Sequence, residues 1–370
     1  MLLFLILLAL LLLVISGYFL TSKNIHIWFL SYIRQQNQGK IRHHVDEPVH
    51  IVFACVDHFE PAWNGASYED EVRRVDTWLH DYPKMANKHY DWLGKHPQHT
   101  FFYPIEEYKK EHLDKLAQLV RNGYGEVEIH LHHENDTALG LRDKIESFKS
   151  TLRCHGLLNL NRDGEVTYGF IHGDWALDNS GKNGKSCGVN NELQVLGQTG
   201  CYADFTLPSA PSETQTKKIN SIYYATGDLL RPKSHDTGID VEVGKESAGD
   251  LMIIQGPLTL NWRNRKYGIF PRIENGEITV ENPPTEQRID LWIQQHIHVK
   301  GAPNWVFVKV HTHGCQEKHK EILLGKYADA MYYYLEGKYN DIINYRLHYA
   351  TARGMYNIIK SLESGKKFQQ

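Results

Sequence analysis

The stretch "GEVEIHLHHENDT", residues 125–137, places histidines and acids at the end of a predicted β-strand. On that strand His130 and His132 point to one face and His133 to the other, because successive side chains of a strand alternate. Asp136 follows within the next turn. The segment is therefore either a metal site or a histidine-rich turn. Evidence from the rest of the sequence is needed to distinguish these two alternatives.

Predicted strands and helices alternate along most of the chain. This order is typical of a mostly parallel sheet with covering helices, so we predict an α/β fold, a distorted (β/α) barrel of about seven parallel strands. The barrel is assigned to residues 48–370, which also contain C-terminal helices. Strands are predicted at 49–57, 99–104, 125–133, 166–175, 201–206, 221–227, 250–257 and 305–314, and helices at 106–123, 140–153, 190–200, 285–299, 317–336 and 339–363.

Polar side chains recur where the predicted strands end. In parallel α/β barrels the loops after the strands converge on the barrel axis, and that rim carries the active site. One site at the rim accounts for all of these residues, whereas the alternative needs a separate structural role for each. They are Asp57, His58, His130, His132, His133, Asp136, His172, Asp174, Asp204, His311 and His313.

A divalent metal, with zinc as the first choice, is the cofactor predicted for this rim. His132 and Asp136 are four positions apart, a spacing that a turn brings together, and imidazole nitrogen and carboxylate oxygen are both good Zn²⁺ ligands. Asp57 completes a set of three protein ligands and leaves a position open for water, as in catalytic sites. His58 and His130 are reserve ligands. The alternatives are solvated histidines at a strand end and, for Asp57, an N-cap.

The other polar residues of the rim are assigned to catalysis and substrate binding. His311 is predicted to be a general acid, because the pKa of histidine lies near neutral pH; a core histidine is the alternative. Trp175 offers a face on which a sugar ring can stack, beside Asp174, with core packing as the alternative. Asp204 and His313 complete the predicted substrate-binding set, and turn formation or capping is the alternative for Asp204.

Short motifs of the chain resemble those of the polysaccharide deacetylase family, whose members remove N- or O-acetyl groups from glycans. "IVFACVDHFEP" (51–61) resembles the first motif, with Asp57 in the place of the base. His58 stands where that family has a second acid, a metal ligand. "FVKVH" (307–311) resembles the last motif, with His311 in the place of the general acid.

The histidine-rich stretch carries the same resemblance. In "EIHLHHEND" (128–136), His132 matches the first of two metal histidines that the family places four residues apart, and Asp136 occupies the second position. "FIHGDW" (170–175) and "CYADFT" (201–206) fall where the two middle motifs belong, although the arginine of the family is absent from the former. The resemblance thus covers the body in outline and departs from the family at named positions.

The resemblance implies a metal-dependent deacetylase in cell-surface glycan biosynthesis, with an acetylated glycan as its substrate. It implies that Asp57 accepts a proton from water, that the metal stabilises the developing oxyanion, and that His311 protonates the leaving group. Asp57 would then be both base and metal ligand, beside His132 and Asp136.

Other classes of protein fit the same residues. The "HLH" and "HTH" pairs at 130–132 and 311–313 also suit an amidohydrolase-like metal-dependent hydrolase. A non-catalytic, membrane-anchored barrel that binds glycan or acts as a scaffold is a second alternative. Cleavage of the glycan itself is a third, since paired carboxylates such as Glu60 and Asp136 can serve it.

The first residues, "MLLFLILLALLLLVISGYFL", contain no charged side chain. A helix of this length can cross a bilayer, so residues 1–21 are predicted to be a single-pass membrane anchor. A cleaved signal peptide is the alternative, although no basic residue precedes the apolar run. Residues 22–47 are predicted to be an interfacial segment and linker. Basic residues after the anchor favour a cytoplasmic body.

The composition bears on partners and compartment. The 370-residue chain has a net charge of -3 and no long basic run, so nucleic acid is not an expected partner. Five cysteines without a CxxC pair are typical of a reducing compartment, with a Cys187–Cys201 disulfide as the alternative.

Overall fold

The fold is mixed α/β and is built on one large, mostly parallel sheet. The computed structural model describes residues 1, 4, 17–37, 47–158, 160–161, 163–246 and 248–365. The strands are β1 (Val49–His58), β2 (His99–Pro104), β3 (Gly125–Leu131), β4 (Tyr168–His172), β5 (Cys201–Asp204), β6 (Ile222–Ala225), β7 (Ile239–Asp240), β8 (Leu251–Ile254), β9 (Thr259–Lys266), β10 (Phe270–Glu274), β11 (Trp305–Thr312) and β12 (Tyr345–Tyr349). The helices are α1 (Ile25–Asn37), α2 (Tyr68–Ala86), α3 (Lys110–Arg121), α4 (Ala138–Cys154), α5 (Glu192–Gln198), α6 (Glu286–Gln294), α7 (Lys320–Leu324), α8 (Lys326–Tyr339) and α9 (Ala352–Glu363).

Eight strands of the main sheet run parallel: seven follow the order β11-β1-β2-β3-β4-β5-β8, and β12 lies parallel to β1. Strands β6 and β7 extend the sheet beyond β8 in antiparallel orientation. β12 pairs with the first half of β1, and β9 and β10 form a separate hairpin. The predicted α/β class and mostly parallel sheet are confirmed.

The parallel strands curl around a shared interior. Lys309 of β11 donates hydrogen bonds to the carbonyl oxygens of Phe205 and Leu207, just beyond β5, at 2.6 and 2.5 Å. These bonds join opposite sides of the parallel path. Among the described strands, however, β11 and β8 form no ladder with each other, so backbone pairing does not close the barrel that the sequence predicts. β8 pairs instead with antiparallel β6.

Alternation along β1 divides its side chains between two apolar clusters. The odd-numbered residues from Ile51 to Cys55 pack outward, in one cluster with residues of helices α2, α3 and α4. The even-numbered residues from Val52 to Val56 pack inward, in a second cluster with residues of helix α9. The same alternation continues to the end of the strand, so Asp57 faces the outer layer and His58 faces the interior.

Several segments differ from their prediction, among them helix α2, the hairpin of β9 and β10 and residues 339–363. Helix α2 is absent from the predicted elements, although Ser67 caps it by accepting a hydrogen bond from the Asp70 amide. The single helix predicted over 339–363 is instead the strand β12 followed by helix α9. The Asp341 side chain accepts hydrogen bonds from the Asn344 and Tyr345 amides, and this turn directs the chain into pairing with β1.

Helix α1, which lies in the predicted interfacial segment, packs on the body. Its residues Ile25, Trp28 and Tyr32 are buried against a cluster that includes Ile219 and Leu258. Polar contacts add to this packing, since the Gln35 side chain donates to the Ile219 carbonyl at 2.8 Å. The body of the protein therefore covers the side of this helix that carries these three residues, whereas Leu30 is exposed. Residues 38–46 of the predicted linker lie outside the described residues.

The predicted single-pass membrane localisation requires correction. Within the part of the chain that the structure describes, no helix combines the length and the apolar character needed to cross a bilayer. Residues 2–3 and 5–16 of the predicted anchor lie outside that part.

Candidate metal centre

Four potential metal ligands meet at the inner side of the sheet, beyond the ends of β1 and β3. We call His58, Glu60, His130 and His132 the open cluster. Oε1 of Glu60 lies 3.4 Å from Nε2 of His130 and 3.2 Å from Nε2 of His132. His58, Glu60 and His130 each offer a ligand atom, and these atoms lie within 4.8 Å of one another. The strands place them there because His58, His130 and His132 all occupy inward positions.

The two histidines nearest Glu60 are held through their other ring nitrogen. Nδ1 of His130 donates to the carbonyl oxygen of Ile171 at 2.8 Å. Nδ1 of His132 lies 2.5 Å from Oε1 of Glu106, which also accepts from the His132 amide. Carbonyl and carboxylate partners of this kind fix the ring orientation of metal-binding histidines and leave Nε2 for the metal. Both Nε2 atoms accordingly face Glu60.

The electrostatics of the open cluster favour positive charge between Glu60 and the neighbouring Glu106. Burial alone would raise the pKa of Glu60, but hydrogen bonds from His130 and His132 hold it well below its ordinary value. Burial would lower the pKa of His132, but Glu106 and Glu60 raise it to about 10. The centre therefore stabilises a cation beside Glu60, whether a proton or a metal ion supplies the charge.

Aromatic side chains line the approach to the open cluster. The ring of His313 stacks on that of His58 with centroids 4.7 Å apart, and the Trp175 ring lies 5.7 Å from His58. Trp175 has a φ of 54°, in the left-handed region that a bulky residue rarely adopts. Its indole Nε1 is buried and has no hydrogen-bond partner among the described residues. The side chain of His132 is 36% exposed, so a ligand can reach the cluster.

A glycine makes room for His132. A Cβ atom on Gly173 would lie 2.3 Å from Cδ2 of His132 and 2.8 Å from the carbonyl oxygen of Leu131. Neither approach is possible for a larger residue without a shift of the imidazole or the backbone. The glycine of "FIHGDW" thus sets the position of a histidine on the neighbouring strand.

Comparisons with known proteins identify no family. No protein-family model matches the sequence, and no curated protein matches it. A 4-alpha-glucanotransferase from Thermococcus litoralis is a solved structure with some similarity, at a TM-score of 0.42 and 10% sequence identity. The alignment covers 84% of this chain and 40% of that one, so the chain spans less than half of that enzyme. The resemblance to polysaccharide deacetylases stays a prediction.

Asp57, predicted as base and metal ligand, lies on the other side of the sheet from the open cluster. Its carboxylate accepts from the Gly314 amide at 2.6 Å and lies 2.9 Å from Nε2 of His99. It is fully buried. Asp57 therefore holds the loop after β11 against β1, and the neighbouring His58, a reserve ligand in the prediction, is the residue that the structure brings to the cluster.

Asp136, the third predicted ligand, does not meet His132 either. Its carboxylate lies 2.9 Å from Nδ1 of His133 and accepts from Lys144 at 2.6 Å. His133 faces outward, where it meets His172 in a second cluster. The turn after β3 thus sends two adjacent histidines to opposite sides of the sheet, as their alternation on a strand requires.

The remaining predicted residues have separate surroundings. Asp204 is buried, and its carboxylate accepts from the amide and hydroxyl groups of Thr206. Asp174 is exposed and accepts from Ser186. His311 faces the interior; burial lowers its pKa well below the ordinary value, and the cationic side chain of Lys309 adds to the effect. Of the predicted substrate-binding residues, Trp175 and His313 adjoin the open cluster.

Several residues around these centres are absent from the predicted site. Glu106 follows strand β2 in "FFYPIEE", so its place at a strand end was a usable signal. Cys187 and Glu192 had no such signal, because they belong to an irregular loop and to the first turn of helix α5. Only the folded loop brings them to the sheet.

Proposed function

We propose that this protein is a metal-dependent hydrolase whose site is the open cluster, and that its substrate is an acetylated sugar. The observation that carries the proposal is the convergence of two Nε2 atoms on Glu60, each fixed through Nδ1 by a carbonyl or carboxylate. Those donors suit Zn²⁺ or a similar divalent ion. Glu60, His130 and His132 would hold the ion and leave a fourth position open for water, with His58 beside them.

A divalent ion held there would supply Lewis acidity toward water and toward a carbonyl group. The protein residues would orient that ion and move protons around it. Glu106 would keep His132 directed at the metal, and the Ile171 carbonyl would do the same for His130. This arrangement leaves one side of the cluster facing the partly exposed approach, which is the requirement for hydrolysis.

His313 is the residue that we assign to proton transfer. Its imidazole stacks on His58 at the approach and is partly exposed, so it can reach both water and a leaving group. The predicted acid, His311, is buried, and burial holds its pKa well below the ordinary value, so it is a poor acceptor for the proton of water. A ring nitrogen of His313 would accept the proton of water and pass it to the departing amine or alcohol.

Trp175 supports a sugar as the substrate. Its indole lies at the approach, where its face can stack on a pyranose ring. An acetyl group attached to that sugar would then point at the open cluster. The assignment of the leaving group as acetate rests on the motif resemblance.

The test measures acetate released from N- and O-acetylated sugars by the full chain, together with its bound metal. Glu60→Gln keeps the shape of the side chain but removes the anionic ligand. Glu134→Gln is the matched control, because Glu134 is an exposed acid of the same strand-end segment. We expect the first variant to lose metal from the open cluster and activity, and the second to retain both.

Two outcomes would overturn the proposal. Full activity of Glu60→Gln would exclude the open cluster as the catalytic site. Binding of acetylated sugars without any release of acetate, in a metal-loaded protein, would instead favour the glycan-binding alternative. Hydrolysis of cyclic amides in preference to acetylated sugars would keep the metal centre but reassign the substrate.

A further inference from the structure

We propose that His133, His172, Cys187 and Glu192 form a second metal site, which is closed to solvent and serves the structure of the loop that carries Trp175. We call these four residues the closed cluster. One ligand atom from each lies within 4.8 Å of the others. All four residues are buried, with exposures of 7%, 0%, 0% and 0% in that order.

The donor atoms are separated by distances close to, or slightly shorter than, those between the ligands of a bound metal ion. Nε2 of His133 lies 2.8 Å from Nε2 of His172 and 3.1 Å from Oε1 of Glu192, and Nε2 of His172 lies 3.4 Å from the same oxygen. Ligand atoms about 2 Å from a tetrahedral Zn²⁺ are separated by roughly 3.3 Å. An opening of a few tenths of an ångström therefore admits the ion.

Both histidines are oriented through their outer nitrogen, as in the open cluster. Nδ1 of His133 donates to Asp136 at 2.9 Å, and Nδ1 of His172 donates to the carbonyl oxygen of Gly173 at 2.5 Å. Each Nε2 therefore points at the other ring. Two imidazole lone pairs cannot face each other at this distance in a dry site, so a positive charge lies between them, which either a proton on one Nε2 or a metal ion supplies.

The charges of the closed cluster also match a divalent ion. Cys187 as thiolate and Glu192 as carboxylate would contribute two negative charges, and two neutral imidazoles would contribute none, so the ion is fully compensated. Neutrality is the condition for burying a metal without solvent. The thiol proton would leave to solvent when the metal binds. Cys187 is a free cysteine, which rules out the alternative Cys187–Cys201 disulfide.

The positions of the four ligands in the chain indicate that the closed cluster has a structural role. Cys187 and Glu192 end the irregular loop that begins after β4, whereas His133 and His172 lie at the ends of β3 and β4. That loop contains several left-handed residues, among them Asp174, Trp175 and Asp178. A metal that joins its end to the sheet would hold the whole loop, including Trp175 beside the open cluster. The inference stands without the proposed function, since a closed site needs no reaction.

The test uses Co²⁺, which replaces zinc in such sites and shows sulfur-to-metal charge-transfer absorption only when a thiolate is a ligand. The full chain is stripped of metal and titrated with Co²⁺ alone. We expect this absorption in the wild type and in Glu60→Gln, because the open cluster contains no cysteine. We expect its loss in Cys187→Ser. Cys201→Ser is the matched control, as Cys201 is also buried but lies apart from the closed cluster.

If Cys187→Ser does not fold, the proposal can still be tested on the wild type alone. Zinc is expected to protect Cys187 from alkylation, and chelation is expected to expose it and to speed amide exchange across residues 173–191. Cobalt binding without sulfur absorption, sulfur absorption that survives in Cys187→Ser, or alkylation of Cys187 that zinc does not slow would each overturn the proposal. An inactive Glu60→Gln that retains the absorption separates this site from the proposed catalytic one.

Discussion

The open and closed clusters each contain one of two adjacent residues, His132 and His133, and they differ in charge balance and in access to solvent. The open cluster offers three neutral imidazoles and one carboxylate, so a bound divalent ion would keep a net positive charge beside a partly exposed approach. The closed cluster offers two anionic ligands and is buried. An uncompensated ion polarises substrates, whereas a compensated one only holds the chain together. The alternation of side chains at the end of β3 would thus separate a catalytic metal site from a structural one.

The largest contrast is expected between two neighbouring substitutions. We expect His132→Ala to reduce turnover by about a thousandfold or more, because it removes a ligand of the reactive ion, and to leave thermal stability nearly unchanged. His133→Ala should lower the unfolding midpoint by about 10 °C, since it removes part of a structural metal site worth several kcal/mol. Acetate release and thermal unfolding measure the two effects. Equal losses of stability in both variants would contradict the division of roles.

The next contrast compares two histidines of strand β11 and its end. We expect His313→Gln to lower kcat by roughly a hundredfold, the usual contribution of proton transfer by a positioned side chain. His311→Gln should reduce it less than about tenfold, because a buried imidazole with a lowered pKa is a poor acceptor for the proton of water. Steady-state kinetics at neutral pH compare the variants, and metal content confirms that both remain loaded. The reverse order would return the acid role to His311.

Gly173 offers a test of the contact between the two clusters. Its carbonyl accepts from His172 of the closed cluster, and its missing Cβ admits His132 of the open cluster. We expect Gly173→Ala to reduce turnover by about tenfold to a hundredfold, because displacement of a reacting group by a fraction of an ångström is costly. Gly337→Ala in helix α8 is the control, as a Cβ there meets nothing within 4 Å. A fully active Gly173→Ala would show that His132 tolerates the displacement.

The smallest effect is expected at Asp204, which supports His172 of the closed cluster through Thr206. The Thr206 hydroxyl donates to Asp204 and accepts from the amide of His172. Burial raises the pKa of Asp204 from 3.8 to about 7, although Thr206, His235 and Lys309 oppose the shift. The folded state therefore keeps a proton that the unfolded state loses between these values, and rising pH destabilises the fold by at most about 1.4 kcal/mol per pH unit.

The measurement compares the free energy of unfolding of the wild type and Asp204→Asn between pH 4 and 6. This range lies below the pH at which Lys309 titrates, because burial lowers its pKa to about 7. We expect the advantage of the wild type over the variant to shrink as pH rises. A constant difference would mean that Asp204 is ionised in the folded protein throughout this range.

The sequence predicted the parallel strands well because buried apolar runs are local signals. Strand β2 has the predicted bounds, and β1 and β11 differ by a residue or two at their ends. β12 was missed because its pairing with β1 is decided by a turn at Asp341 rather than by its own pattern. The sequence of β6 is likewise an apolar run that resembles the parallel strands. Its antiparallel orientation is set by its pairing with β8 and has no signal in its own sequence.

The candidate site was predicted less well, for two physical reasons. Asp57 and His58 share a strand end, and choosing between them requires the inward or outward phase of β1, which depends on what packs on each face. His132 and Asp136 have a suitable spacing, but the turn between them directs Asp136 to His133. Cys187 and Glu192 reach the sheet through a loop without periodicity, so no local pattern reveals them.

The packing of helix α1 on the body determines where the protein can be truncated for recombinant expression. Trp28 is fully buried against residues from distant parts of the chain, and each large aromatic side chain of this kind contributes about 1.5–3 kcal/mol. A recombinant fragment that begins after Asn37 would lose this cover and leave an apolar patch open to aggregation. Expression boundaries should therefore lie ahead of helix α1, so that Trp28 keeps its place against the body.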